Sequence, residues 1–463
     1  MRSTTDELAR LAVTPVYRTN HQKPAGLGKA LNRFLSATMD EVRLWHANSY
    51  ARLVLAWTDM DDADHFRQGL LRREVGGRIA YQKQRDHSAH TVHNYLLGWY
   101  FYANSTSVRD ECGRHFVIRG HEREHSMRFR SAWPFVSMLH DVGYLFEGSL
   151  DPLQAGLIDE QVGVGVEVVE DYFEHHFWMQ CGIDSVYDRE RLHKLSKVNS
   201  PQFYGRSLAA IADALRDLGN LDALRSAVAA SISAPLKPPK VDYLNRTHGL
   251  PGDAFDLWER HYQYYGIESM VKRIRWMRGA FEAVMRSGIS GSGTRFLDHG
   301  VCSGLLLLLY STFYFRVYFG LPSDPNSEAA DRLLIQRFKR NRYDPAWWFS
   351  GVVWATAATA LHNMQQQPKL FGVPEDIELL RLTEDPLSYL GILVDCLQEW
   401  DRYTVSHESV IAGKLPLQGA DVKLSARSGR VRIAYGDADR AASVQKSLNR
   451  CLDGWKDLVE IHG

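Results

Sequence analysis

The chain has 463 residues, and its 55 Lys and Arg residues balance 55 Asp and Glu residues. A formal net charge of zero gives no long-range field toward nucleic acid or an anionic membrane, so neither partner is favoured. The 45% apolar and 24% charged residues are typical of a soluble protein with a sizeable core. The length fits one large domain with insertions, or two to three domains.

The cysteine pattern and the apolar stretches predict a cytoplasmic protein without a membrane partner. Five cysteines are scattered without CxxC spacing, which indicates reduced and mostly buried thiols. The first residues contain no apolar stretch of the kind that a signal peptide needs. The Leu-rich run from Gly304 to Phe315 is too short to cross a bilayer, so it predicts a buried core helix.

The first third of the chain predicts helices after an irregular start. Residues up to about Lys29 look irregular, and helical periodicity follows over Leu31–Trp57 and His65–Ala80. A further helix begins near Arg85. On it His87, His90 and Asn94 share one face, because they stand at i, i+3 and i+7.

The most informative stretch is an apolar run from Phe135 to Leu139 that leads directly into His140 and Asp141, with Gly143 after them. An imidazole and a carboxylate left unpaired in apolar surroundings cost several kcal/mol. A divalent cation would remove that cost. The alternative is a helix end at which capping hydrogen bonds satisfy both groups.

A basic cluster precedes this stretch. Such a run of charge favours a solvated surface, and the alternative is a rim that attracts phosphate. Its members are Arg114, His115, Arg119, His121, Arg123, Arg128 and Arg130.

Residues 151–290 are predicted to be helical and carry little visible chemistry. We expect helices over Leu157–Met179, Ser207–Ala230 and Asp253–Met285. A Pro-rich break at 234–239 interrupts them.

Two further histidines stand at the ends of predicted helices. His299 follows Asp298 at the start of the Leu-rich helix, and His362 ends a helix that begins at Asp344-Pro345. An Asp before a Pro is a strong helix start, because the carboxylate caps free amide groups and Pro suits the first turn.

The C-terminal part begins with a helix that starts at Asp385-Pro386 and is predicted to continue to Arg402. Asp395 lies among apolar residues on it, and Glu399 and Arg402 would follow on the same face. Beyond it, alternating residues around Ser428-Gly429 predict a β-hairpin, and 438–461 predicts a closing helix.

The order His, His-Asp, His, His, Asp resembles that of the HD-domain metal-dependent phosphohydrolases. His90-Thr91-Val92 looks like the first His of that family, and His140-Asp141-Val142-Gly143 looks like its defining motif. Asp395 matches the closing Asp. His299 and His362 are similar to the extra pair of the dinuclear members, which are phosphodiesterases. Tyr144, in contrast, stands where the cyclic-dinucleotide branch carries Lys.

The resemblance implies a mainly α-helical fold with an HD core. The expected parts are an N-terminal helical extension (1–80), the metal-binding core (80–150 and 290–405), a helical insertion (151–290) and a C-terminal β-hairpin and helix (406–463).

The resemblance also implies two divalent transition metal ions, of Mn, Fe, Co or Zn. Asp141 would bridge them, with one ion completed by His90, His140 and Asp395 and the other by His299 and His362. His87 shares a helix face with His90, so it is the alternative first ligand. Otherwise His87 or His93 orients a ligand or protonates a leaving group. Arg402 is the candidate for contact with substrate phosphate, and the alternative is a local ion pair with Glu399 that only steadies the helix.

The implied function is hydrolysis of a phosphorylated substrate, either a phosphate ester of a nucleotide or a cyclic or linear phosphodiester, by a metal-activated water. One alternative is a non-catalytic HD scaffold or ligand-sensing module. A second is a single-strand nuclease, against which the neutral net charge counts mildly. Neither substrate identity nor oligomeric state follows from the residues.

Overall fold

The structure is a computed structural model of the chain, and it describes most of the two ends and parts of the middle. The described residues are 1–11, 26–58, 60–80, 87–121, 125–145, 167–168, 171–172, 176–180, 183, 185–196, 254–287, 298–320, 328–340, 347–366, 378–401 and 417–463. These residues form many helices and a few short strands, which confirms the predicted mainly α-helical class.

Residue contacts divide the chain into two compact units. The first unit comprises 1–141, 361–367 and 376–463, and the second comprises 142–360 and 368–375. The division of the chain into a core, an insertion and two terminal parts stays a prediction.

Among the described residues, the first unit begins with seven helices from the N-terminal part of the sequence. They are α1 (Thr4–Leu11), α2 (Leu27–Ser36), α3 (Asp40–Trp57), α4 (Asp64–Ala80), α5 (His87–Asn104), α6 (Thr106–Ile118) and α7 (His125–Ser137).

Helix α5 lies at the centre of the first unit. Its residues from Ser88 to Tyr102 are all buried, as expected for a helix that neighbours cover on every face. Helices α1, α3, α4, α6 and α7 all pack against it. Helix α7 approaches closely, because the indole of Trp133 lies over Gly98 and donates a hydrogen bond to the Tyr95 carbonyl oxygen at 3.0 Å.

The second unit contains the helices of the middle of the chain. They are α8 (Phe177–Gln180), α9 (Val186–Ser196), α10 (Ala254–Tyr264), α11 (Glu268–Ser287), α12 (His299–Gly320), α13 (Ala329–Arg340) and the greater part of α14 (Val353–Gln366), which follows a π-helical stretch (Trp348–Val352). The single helix predicted over Asp253–Met285 is wrong, because Gly266 takes a left-handed φ of 71° between α10 and α11.

Helix α15 (Pro386–Leu397) returns the chain to the first unit and packs against α5, α6 and α7. Its predicted start is confirmed: the Asp385 side chain accepts hydrogen bonds from the backbone amides of Leu387 and Ser388, both at 3.0 Å. The predicted continuation to Arg402 is wrong, because the helix ends at Leu397. Arg402 itself lies outside the described residues.

The strands of the first unit are β1 (Arg2–Ser3), β2 (Leu380–Arg381), β3 (Lys423–Arg427), β4 (Arg430–Ala434), β5 (Leu452–Asp453) and β6 (Val459–His462), with α16 (Ala438–Cys451) between β4 and β5. One sheet has the order β1-β3-β4-β6, antiparallel except for the parallel pair β4 and β6. Strands β2 and β5 form a short parallel pair.

The predicted hairpin is confirmed as β3 and β4, which turn at Ser428 and Gly429. Three other expectations are corrected. The start of the chain forms β1 and α1, the predicted Leu31–Trp57 helix is divided into α2 and α3, and the closing helix stops at Cys451 before two short strands.

Several predictions lie outside the described residues: the helix over Ser207–Ala230, the Pro-rich break, the start at Asp344-Pro345 and most of Leu157–Met179. Among the cysteines that the structure describes, Cys112, Cys302, Cys396 and Cys451 are buried, as predicted. Within the same described ranges, no helix combines the length and the apolar character needed to span a bilayer.

Candidate metal centre

Three elements of the first unit carry the candidate ligands. His87 and His90 lie on the first turn of α5, and Asp395 lies on the last turn of α15. His140 and Asp141 follow the end of α7. Since α7 and α15 both pack against α5, the three elements bring together ligand side chains up to 305 positions apart in the sequence, as the contact between His90 and Asp395 shows.

His90, His140 and Asp141 form a compact donor cluster. Their ligand atoms all lie within 4.8 Å of one another, and each of the three residues is buried. His140 Nε2 lies 3.2 Å from Asp141 Oδ1. The geometry therefore allows a single ion to reach two imidazole nitrogens and a carboxylate.

Asp395 joins this cluster from α15. Its Oδ1 lies 2.7 Å from His90 Nε2 and 3.8 Å from His140 Nε2. The Asn94 side-chain amide lies 3.0 Å from His90 Nε2 and 3.3 Å from Asp395 Oδ1. A second carboxylate thus faces the same two imidazoles.

Asp141 is an anion in the folded protein. Burial alone would raise its pKa, but the neighbouring His140 and His87 hold that pKa well below its ordinary value. His87 donates a hydrogen bond from Nδ1 to Asp141 Oδ2 at 3.0 Å. His87 thus contacts Asp141 Oδ2, whereas His90 contacts Asp395 and belongs to the donor cluster. This arrangement favours His90 over His87 as the first ligand.

His140 has a defined orientation. Its Nδ1–H donates to the Ser137 carbonyl oxygen at 2.7 Å, which leaves Nε2 to face the carboxylates. The ring of His362, on the part of α14 that belongs to the first unit, lies edge-on to His140 with 4.9 Å between ring centroids. His362 is buried as well.

His299 belongs to the second unit, where it is the first residue of α12. Its ring stacks on Tyr144 with 3.9 Å between centroids. Gly143 allows this close approach, because a Cβ atom there would overlap the His299 carbonyl oxygen and the Ser303 amide nitrogen. The Gly143 amide also donates to Ser303 Oγ at 2.7 Å. Packing within the second unit therefore requires a glycine at position 143.

The basic cluster is not one solvated surface. Arg114 is half exposed and contacts Glu111, but His115 and Arg119 are buried against each other. Burial and the charges of Arg119 and Arg114 lower the pKa of His115 to about 3, against a hydrogen bond with the Thr383 carbonyl oxygen. The prediction of a solvated surface is therefore wrong for His115 and Arg119.

Sequence reasoning missed two residues that contact histidines of α5. Gln398 Oε1 contacts His90 Nδ1, and Asp401 Oδ2 lies 3.4 Å from His93 Nε2. Both follow the end of α15, where the sequence predicts helix. A helix that ends at Leu397 changes the direction of every later side chain, so no helical spacing rule could have identified them.

No protein-family model, no curated protein and no solved structure matches this chain. The fold and the cluster define a mainly α-helical protein with buried His and Asp side chains that could hold a metal ion.

Proposed function

We propose that the chain is a metal-dependent phosphohydrolase that acts on a phosphate ester of a nucleotide or on a phosphodiester. The observation that carries the proposal is the buried cluster of His90, His140 and Asp141, whose ligand atoms lie within 4.8 Å of one another. The resemblance of the same residues to the HD-domain motifs supports the class of reaction.

The donor chemistry fits a transition metal. Two imidazoles with the carboxylates of Asp141 and Asp395 suit Mn, Fe, Co or Zn more than Ca, which prefers an all-oxygen shell. His140 is oriented for this role, because its Nδ1–H is bonded to the Ser137 carbonyl oxygen and its Nε2 faces Asp141. Without a cation, the carboxylates of buried Asp141 and partly buried Asp395 would lie 3.8 Å or less from the same imidazole, that of His140.

A metal bound there would supply Lewis acidity and would lower the pKa of a coordinated water. The protein residues have supporting roles. Asp141, His90, His140 and Asp395 would hold the ion, and His87 steadies Asp141 through its hydrogen bond. His87 is also the nearest candidate for moving a proton at Asp141. A second ion, with His299 and His362 as ligands, stays a prediction from the resemblance.

Metal content and turnover test the proposal together. The purified chain is loaded with Mn, Fe or Co and assayed against bis-p-nitrophenyl phosphate and a panel of nucleotides. The proposal expects bound metal and hydrolysis in the unaltered chain, and neither in Asp141→Ala. His115→Gln is the matched control, because His115 is a buried histidine of the same unit that contacts a backbone carbonyl instead of the cluster.

Two results would count against the proposal. A chain that binds no metal under any condition removes its basis. A chain that binds metal stoichiometrically but hydrolyses none of the substrates favours the non-catalytic scaffold.

A further inference from the structure

We propose that Gln398 is a positioning residue that determines which nitrogen of His90 faces the metal. The inference rests on the proposed metal site and adds to it a residue outside the ligand set. Gln398 is fully buried and directly follows the last residue of α15, the helix that carries Asp395.

The amide group of Gln398 can take only one orientation. Its Nε2 donates to the Trp400 carbonyl oxygen, which can only accept a hydrogen bond. The other end of the amide, Oε1, is therefore the atom that meets His90 Nδ1. Because Oε1 can only accept, the hydrogen of a neutral His90 must lie on Nδ1.

This assignment leaves a lone pair on His90 Nε2, the nitrogen that faces the cluster. Asp395 Oδ1 lies 2.7 Å from it, so two acceptors meet at hydrogen-bond distance. The Asn94 amide donates toward both atoms, at 3.0 Å and 3.3 Å, and holds them side by side. A metal cation could accept the lone pairs of His90 Nε2 and Asp395 Oδ1 together.

The segment that holds Gln398 is itself anchored. The backbone amide of Asp401, next to Trp400, donates to the Leu417 carbonyl oxygen at 2.7 Å. The Asp401 carboxylate accepts from the Gly419 amide at 3.0 Å and lies 3.3 Å from the buried Arg43 guanidinium. These contacts immobilise the backbone that holds the Gln398 amide. The amide is therefore already oriented before metal binds, and little conformational entropy is lost on binding.

Two substitutions separate positioning from general packing. Gln398→Leu keeps the volume but removes the acceptor, so His90 loses its fixed hydrogen position. Gln398→Glu keeps an oxygen for His90 Nδ1–H, but it replaces the donor to Trp400 by a second oxygen and adds a negative charge when ionised. Asn449→Leu is the matched control, since it removes an amide oxygen that accepts from the Trp455 indole 3.0 Å away, in the same unit and in contact with no candidate ligand.

The readouts are Mn²⁺ affinity at one fixed pH, by competition with a chelator, and the 15N shifts of the His90 ring in the metal-free protein. We expect Gln398→Leu to weaken Mn²⁺ binding by about 10- to 100-fold. Gln398→Glu should bind as tightly as the unaltered chain or more tightly, and Asn449→Leu should lose only stability. The 15N shifts should place the hydrogen on Nδ1 in the unaltered chain.

Failure of this inference and failure of the proposed function look different. An unaltered chain that binds no Mn²⁺ overturns the proposed function. An unaltered chain that binds Mn²⁺, with Gln398→Leu equal to it, overturns the positioning role alone. If Gln398→Leu does not fold, weakened binding in Gln398→Glu overturns the role, as does a hydrogen found on Nε2 of His90.

Discussion

Asp401 is held by opposite charge and by backbone in a buried position. Its carboxylate lies 3.3 Å from the Arg43 guanidinium and 3.4 Å from His93 Nε2, and it accepts from the Gly419 amide. Burial alone would raise its pKa, but His93, Arg43 and the Gly419 amide hold that pKa below the ordinary value. Its backbone is in the left-handed region, with a φ of 54°.

We expect Asp401→Asn to destabilise the protein by about 3–5 kcal/mol at neutral pH, because buried Arg43 then loses its ion pair with this carboxylate. Asn tolerates a left-handed backbone, so the change tests charge and not conformation. Because the pKa of Asp401 is lower in the folded than in the unfolded chain, its ionised carboxylate stabilises the fold at pH values above the unfolded pKa. This stabilisation is lost as the pH falls through the folded pKa. The difference between the two proteins should therefore shrink below about pH 4.

Urea unfolding at pH 7 and at a series of lower pH values measures this difference. Asp453→Asn is the control, since Asp453 is well exposed and its pairing with Arg381 should contribute at most about 1 kcal/mol. A gap between Asp401→Asn and the unaltered chain that stays constant down to pH 2 would contradict the electrostatic account.

The sequence identified single residues where a metal-binding side chain interrupts an apolar run. His90, His140, Asp141 and Asp395 could be selected because charged or metal-binding side chains in apolar runs are rare. The structure does bring these four together. Gln398 and Asp401 could not be selected, because their partners His90 and Arg43 lie about three hundred or more positions away and no local pattern encodes such pairs.

Elements converge at the candidate centre because α5 and α7 approach closely. Gly98 on α5 leaves room for the indole of Trp133, and a Cβ atom there would overlap that ring. Helix α7 ends just before His140 and Asp141, so a displaced Trp133 would move the residues that lead into the cluster. Gly98 is thus a condition for the geometry of the site as well as for packing.

We expect Gly98→Ala to lower the free energy of unfolding by about 1–3 kcal/mol, as overpacked buried positions do. Gly28→Ala is the matched control in the same unit, because nothing lies within 4 Å of the added atom and the residue is helical. That control should be neutral or more stable by up to about 1 kcal/mol. Thermal unfolding of both variants measures the contrast, and equal stability of the two would contradict the packing argument.

Local signals predicted some elements well and others badly. The start of α15 and the hairpin of β3 and β4 were predictable, since a capping Asp and a two-residue turn act within a few positions. The end of the predicted closing helix was not, because residues after Cys451 form β6, which pairs with β4. Strand pairing across the chain overrides a helical pattern that the sequence alone shows.

At the scale of the whole molecule, metal binding and folding should be linked. The candidate ligands come from stretches near residues 90, 140 and 395, so the unfolded chain has no assembled site. An ion that binds only the folded chain stabilises it in proportion to the logarithm of its concentration. The stabilisation therefore reports the assembly of ligands from separate parts of the sequence.

We expect Mn²⁺ at about one hundred times its dissociation constant to raise the free energy of unfolding by about 2.7 kcal/mol for each ion bound. Asp141→Ala should abolish this increase, because it removes the carboxylate that contacts His140 and His87. Calorimetry with and without Mn²⁺ gives the shift, and elemental analysis gives the number of ions per chain.

The resemblance to dinuclear phosphodiesterases predicts two ions, with one lost in His299→Ala or in His362→Ala. One ion in the unaltered chain, unchanged in both variants, would leave a mononuclear centre at His90, His140, Asp141 and Asp395. An equal Mn²⁺ shift in Asp141→Ala would instead place the bound ion elsewhere in the protein.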